Sequence, residues 1–138
     1  MKSSKLKIAL DSSVFRDFDF IEYLQNNSDQ YTISLSVIVY LETYHWYHIR
    51  GISKELFDKE INALSVSVTN LTPVQIEEIS DNVRTSKLRF KHHIRDIIIG
   101  THSNMEDSLF ITTNVKHFQW MMTKPSTPDE FIKKYVQI

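Results

Sequence analysis

Residues 5–13, Lys5-Leu6-Lys7-Ile8-Ala9-Leu10-Asp11-Ser12-Ser13, alternate charged and apolar side chains, reach a short apolar run and stop at a polar cluster. That pattern predicts a β-strand over 5–10 whose end is marked by residues that favour caps and turns. Working outward, Val14, Phe15, Phe18, Ile21 and Leu24 recur at helical spacing, so a helix is expected over 14–25. A second short strand follows at 31–35, then a helix over 36–49 with Gly51 as its stop signal. Ser53 caps a further helix carrying Leu56, Phe57, Ile61 and Leu64. A third strand is expected at 66–71, and Pro73 opens a helix in which Val74, Ile76 and Ile79 recur. The next helix is placed from near His93 to Met105, and 109–113 forms the strongest strand. A short strand near Met122 and a helix over 128–135 complete the chain.

Connections between these strands are too long for hairpins and contain helices, which requires parallel pairing by right-handed crossovers. The fold class is therefore α/β. At roughly 100 to 200 residues per domain, 138 residues make one domain spanning 1–138. In such sheets ligands collect beyond the carboxyl ends of the strands, where strand order reverses, so residues just after strands carry the functional reading.

Composition narrows the chemistry. There is no cysteine, which excludes disulfides, thiolate metal sites and thiol catalysis. Gly51 and Gly100 are the only glycines, so no glycine-rich phosphate loop is present. The first apolar run, Ile8-Ala9-Leu10, is too short for a signal-peptide core, and no run spans a bilayer; no membrane association and a cytoplasmic location are expected. Net charge is −1, but 82–95 holds no acid while Arg84, Lys87, Arg89, Lys91 and Arg95 crowd together with His92 and His93. Such a stripe is commonly a solvated helix face; it is also what tracks a phosphate backbone.

Three carboxylates stand out. Asp11 follows the first strand, Glu42 lies among apolar helical neighbours, and Asp96 stands between the basic stripe and Ile97-Ile98-Ile99, within a turn of the expected helix start. Asn114 follows the strand at 109–113. Each has a plain structural reading, because Asp and Asn cap helices and Glu snorkels. Taken together they suit an oxygen-ligated divalent ion: converging carboxylates repel until some are protonated or a cation arrives, and Mg²⁺ or Mn²⁺ prefers such ligands. His45 and His48, three apart, lack zinc-protease spacing and an obvious third ligand, so zinc is disfavoured. A receiver-type signalling domain would place two acids together after the first strand, whereas Ser12-Ser13 follow Asp11 here.

Four blocks in register resemble the PIN-domain ribonucleases, including the VapC-like toxins of toxin–antitoxin pairs. Ile8-Ala9-Leu10-Asp11-Ser12-Ser13-Val14-Phe15 is similar to the family's opening strand and acid. Ser34-Leu35-Ser36-Val37-Ile38-Val39-Tyr40-Leu41-Glu42 resembles the segment carrying its Glu. Asp96-Ile97-Ile98-Ile99-Gly100-Thr101-His102-Ser103 is similar to its Asp and small-residue helix, with Gly100 allowing close packing on the sheet. Phe110-Ile111-Thr112-Thr113-Asn114-Val115-Lys116-His117-Phe118 resembles its last strand and Asn/Asp loop. The sequence departs from the family at Asn114, one negative charge fewer, at His117, where an Asp often stands, and at the bulky His102.

The resemblance implies a three-layer α/β/α sandwich with a central parallel sheet of about four or five strands. It implies a Mg²⁺- or Mn²⁺-dependent endoribonuclease acting on single-stranded RNA. Asp11, Glu42, Asp96 and Asn114 would be the catalytic and metal-binding residues, with Ser13 orienting a ligand from behind. Arg84, Lys87, Arg89, Lys91 and Arg95 would contact RNA. It further implies an antitoxin protein or a homodimer partner, for which Tyr40, Tyr44, Trp46, Tyr47 and Phe57 supply apolar material. The alternative is a catalytically weak PIN-like module that binds RNA or protein, motivated by Asn114 and His117.

Overall fold

The computed structural model describes residues 5–136; the first four and last two residues of the expected domain lie outside this range. Among the described residues, four parallel strands form one sheet: β1 (Leu6–Leu10), β2 (Tyr31–Ser36), β3 (Ser67–Thr69) and β4 (Leu109–Ile111), in the order β3-β2-β1-β4. Six α-helices flank it: α1 (Phe18–Asn26), α2 (Val37–Ile49), α3 (Lys54–Leu64), α4 (Pro73–Ser86), α5 (Phe90–Met105) and α6 (Pro128–Tyr135). The arrangement is a three-layer α/β/α sandwich.

Why the sheet is buried follows from its side chains. Ile8, Ala9 and Leu10 of β1 and Ile33 and Leu35 of β2 are almost wholly inaccessible, as befits central parallel strands covered on both faces. Ile8 pairs with Ile33 on one side and with Leu109 on the other. From β1 the chain adds β2 and then β3 in one direction; β4 returns to the opposite edge of β1. Strand order therefore reverses between β1 and β4, and their carboxyl ends frame the crevice where α/β proteins place ligands. The aromatic residues of α2 and α3 mostly serve the core: the rings of Tyr40, Tyr44 and Tyr47 pack on buried Phe57 at centroid distances of 5.6, 5.1 and 5.1 Å. Exposed apolar side chains include Phe18 of α1, Leu41 and Ile49 of α2, and Val74, Ile76 and Phe90 of α4 and α5.

Several element boundaries differ from the sequence expectation, each for a local reason. The helix expected over 14–25 is broken: Ser12–Arg16 is a 3-10 turn, and α1 begins only after Asp17, whose side chain accepts the Phe20 N–H at 3.2 Å and restarts the chain as a cap. Helix α5 starts at Phe90 rather than near His93, because Phe90, Ile94 and Ile98 form an apolar stripe facing Ile76, Ile79 and Val83 of α4. Asp96 is thus the seventh residue of a helix and not part of its first turn. Strand β3 shortens to an exposed edge of three residues. No strand forms at Met122, which is 92% exposed. Pro125 has no N–H to donate, and pairing reduces to a single bridge between Ile111 and Ser126. Gly100 packs against Trp120 rather than the sheet; a methyl group there would lie 2.6 Å from the indole.

Two predictions concern stability. Lys87 ends α4 with φ of 61°, a left-handed conformation that costs an L-residue roughly 1–2 kcal/mol. Glycine escapes that cost while losing more backbone entropy, so Lys87→Gly is expected to stabilise the fold by about 0.5–1 kcal/mol in urea denaturation.

The second concerns His102, which is buried in α5 with Nε2 3.1 Å from Glu106 Oε1 but without a well-aligned hydrogen bond. Burial, partly offset by Glu106, holds its pKa below the ordinary 6.5. In the window below 6.5 the unfolded chain binds the proton more readily than the folded one, so stability falls as pH drops through that window. Denaturation curves at pH 7.5 and 5.5 should show a loss that His102→Gln reduces.

Candidate functional site

Asp11 leaves β1 fully buried, and its two oxygens are met by four donors. Oδ1 accepts the Ser12 N–H at 2.8 Å and Arg95 Nη2 at 2.8 Å. Oδ2 accepts the hydroxyls of Thr112 at 2.8 Å and Ser13 at 3.1 Å. A buried carboxylate is costly unless so satisfied. Its donors also explain why β4 ends early: Thr112 turns its hydroxyl to Asp11, and the Thr113 N–H donates to Ser13 Oγ at 3.2 Å rather than to a ladder carbonyl. Ser13 therefore stands behind Asp11 and ties the end of β1 to that of β4.

Glu42 comes from α2, whose start is fixed by Ser36 Oγ accepting the Val39 N–H at 3.2 Å. Two turns into that helix its carboxylate reaches back over the sheet edge. Oε1 accepts Ser12 Oγ at 3.0 Å and Arg95 Nη2 at 2.7 Å, while Oε2 accepts Arg95 Nε. Asp96 of α5 accepts Arg95 Nη1 at 2.7 Å through Oδ1 and faces His117 Nδ1 at 3.3 Å through Oδ2.

One guanidinium thus bonds to all three carboxylates. Burial works against its charge, but the bond to Glu42 and the charges of Asp11 and Glu42 outweigh that effect and hold Arg95 protonated well above its ordinary range. A single positive charge against three negative ones leaves the group net negative, with hydroxyls supplying the rest of the satisfaction.

The cluster forms one wall of an open cavity of about 400 Å³. Asn114 and His117, just after β4, line it, as do Arg16 and Trp46. The Asn114 N–H donates to Thr112 Oγ1 at 3.0 Å, and its side chain borders the cavity without a hydrogen bond to the acids. So the structure brings Asp11, Glu42 and Asp96 together, with Ser13 behind and Asn114 at the rim.

It does not bring the basic stripe to the same place. Arg84, Lys87, Arg89 and Lys91 are exposed and none lines the cavity; Arg84 lies 3.5 Å from Asp81, Lys87 ends α4 and Arg89 precedes α5. Arg95 parts from them and turns inward among the carboxylates.

Sequence reasoning gives Arg95 a role in RNA contact but not as a counter-ion, assigns no site role to Ser12, Thr112 or Arg16, and takes Trp46 only as apolar material. The available signal for Arg95 was its place beside an acid at the edge of the apolar run Ile97-Ile98-Ile99. Among the described residues, no three His, Asp or Glu side chains stand close enough to ligate one ion as placed, since the guanidinium fork spreads the oxygens across its width. The carboxylates nevertheless converge on one cation, and their hard oxygen chemistry suits a divalent ion in that position.

No protein-family model and no curated protein matches the sequence. Among solved structures, the chain is similar to PAE2754 from Pyrobaculum aerophilum, with a TM-score of 0.60, 10% identity and coverage of 95% of this chain and 97% of that one. It is similar to VapBC-1 from nontypeable Haemophilus influenzae at TM-score 0.57 and 17% identity, over 88% and 96% of the two chains. It is also similar to VapBC2 from Rickettsia felis, solved bound to a DNA fragment from their promoter, at TM-score 0.55 and 16% identity, over 88% and 97%.

The network predicts its own energetics. Arg95→Gln should leave the carboxylates without a counter-ion and destabilise the metal-free protein by about 2 kcal/mol at neutral pH, less than a fully buried pair because the arginine side chain is 35% exposed. Urea denaturation of Arg95→Gln, Asp11→Asn and the double variant should show a combined loss smaller than the sum of the two. Strict additivity would show that the two groups do not support one another.

Proposed function

We propose that this chain, which has a VapC-like PIN fold, is a metal-dependent endoribonuclease that hydrolyses phosphodiester bonds of single-stranded RNA in the cytoplasm, as the toxin of a toxin–antitoxin pair. The observation that carries this reading is the meeting of Asp11, Glu42 and Asp96, from three separate elements, at the switch point between β1 and β4. Mg²⁺ or Mn²⁺ would be held there by Asp11, Glu42 and Asp96, with Asn114 from the rim. Such an ion, when bound, supplies activation of a water and stabilisation of charge on phosphate oxygens.

The chain's own residues supply the rest. Ser13 and Thr112 fix the rotamer of Asp11, so that one carboxylate oxygen remains directed at the cluster. Arg95 holds the acids in register, and a divalent cation competes with it for the same oxygens; a displaced guanidinium remains charged and within reach of a phosphate in the cavity. Exposed Arg84, Lys87, Arg89 and Lys91 would track RNA beyond the cavity, with affinity falling as salt rises. An antitoxin or a second copy of the chain would cover the apolar side chains Val74, Ile76 and Phe90. The VapBC likenesses support the toxin–antitoxin reading.

A second reading, a catalytically weak module that binds RNA or protein, is favoured by the guanidinium standing where the ion would lie. Incubation of purified protein with single-stranded RNA, with Mn²⁺ or with EDTA, separates the two. Cleavage that requires Mn²⁺ and drops at least about a hundredfold in Asp11→Asn and in Asp96→Asn is expected. RNA binding without Mn²⁺-dependent cutting would favour the second reading.

A further inference from the structure

Glu42 and Trp46 stand four apart in α2, and Arg50 caps its C-terminus four residues later, so a carboxylate, an indole and a guanidinium follow one another along one side of the helix at steps of about 6 Å. Arg16 and Trp46 line the same cavity as Glu42, Arg95 and Asp96. The guanidinium carbons of Arg16 and Arg50 lie 5.7 and 5.1 Å from the centroid of the Trp46 ring. Phe18, 64% exposed, stacks beside that ring at 6.3 Å with 28° between the planes. Among the described residues neither Arg16 nor Arg50 has a carboxylate within ion-pair distance. Two cations and two aromatic rings are thus gathered beside an acidic site, with neither cation held in an ion pair.

We infer that Trp46, Arg16 and Arg50 form a subsite for one unpaired nucleotide of single-stranded RNA next to the acid cluster, the base stacking on the indole and the guanidiniums binding the flanking phosphates. This rests on the nuclease reading for the identity of the ligand and goes beyond it in giving the strand a path. Base stacking on an aromatic ring is stronger than an exposed cation–π contact, so an incoming base displaces an arginine from the ring face and frees it for phosphate. Every base has a π face, so the subsite tolerates sequence; a duplex keeps its bases stacked on one another and offers none. The strand leaves the acids along α2, past Trp46 toward Arg50.

Trp120 is the second of the two tryptophans, so Trp120→Phe leaves Trp46 as the single indole reporter. Titrating that variant with a single-stranded oligoribonucleotide in EDTA, where cleavage is absent, should give saturable quenching, and the matching duplex should give little. Trp46→Ala is expected to weaken binding about tenfold and Trp46→Phe to restore most of it. Arg50→Gln should reduce the slope of log affinity against log salt by about one. Binding without quenching, equal quenching by duplex, or unchanged affinity in Trp46→Ala would overturn the subsite, as would failure of the protein to bind single-stranded RNA. Loss of Mn²⁺-dependent cutting with quenching intact would overturn the nuclease reading and leave the subsite standing.

Discussion

The guanidinium of Arg95 is the constraint around which the candidate site is organised. It ties together a loop after the first strand, the second turn of α2 and the middle of α5, segments that are distant in sequence. Without a cation in that position, buried Asp11 and nearly buried Asp96 would face Glu42 across a low-dielectric gap, and repulsion would push the three elements apart. With it, the charge that gathers the carboxylates comes from the same chain, on the residue adjacent to one of them.

Sheet topology decides where this can happen. Because β4 returns to the far side of β1, the ends of these two strands are neighbours. Asp11 and Thr112 meet there through a single hydroxyl, and Glu42 enters because α2 begins directly at the end of β2 with no intervening loop. The serines contribute twice. Ser36 starts the helix that aims Glu42, and Ser12 bridges Glu42 to Arg95, so short polar side chains fix the positions of the charged ones.

Much of this was legible in the sequence because it is local or periodic. The apolar runs ending at Asp11 and near Asn114 predict two strands, and the connections between strands predict parallel pairing, which the sheet shows. The convergence of Asp11, Glu42 and Asp96 follows from strand ends meeting at a switch point. What escaped depends on side-chain direction. Periodicity gives Val14 to Gln25 one helix and cannot show that the Asp17 carboxylate will capture the Phe20 amide and split it. Nor does a run of cations reveal which member turns inward: Arg95 differs from Arg89 and Lys91 only in standing beside buried Asp96, a fact that burial, not composition, supplies. Trp46 reads as one more core aromatic among Tyr44 and Tyr47 until the helix is built and the indole is found one turn beyond Glu42, at the cavity wall.

The same network that steadies the metal-free fold also limits what it can bind. A cation entering the site must compete with four charge-assisted contacts from one guanidinium to three carboxylates, so its affinity reflects the difference between two ways of neutralising the same oxygens rather than the absolute attraction of either. That difference favours a doubly charged ion, because one guanidinium leaves the group net negative. It also favours an ion that arrives with an anionic ligand, since a displaced Arg95 then finds a new partner instead of being left unpaired in a half-buried position. Under the proposed nuclease reading, occupancy by a divalent ion would be coupled to occupancy by a phosphate through this one side chain.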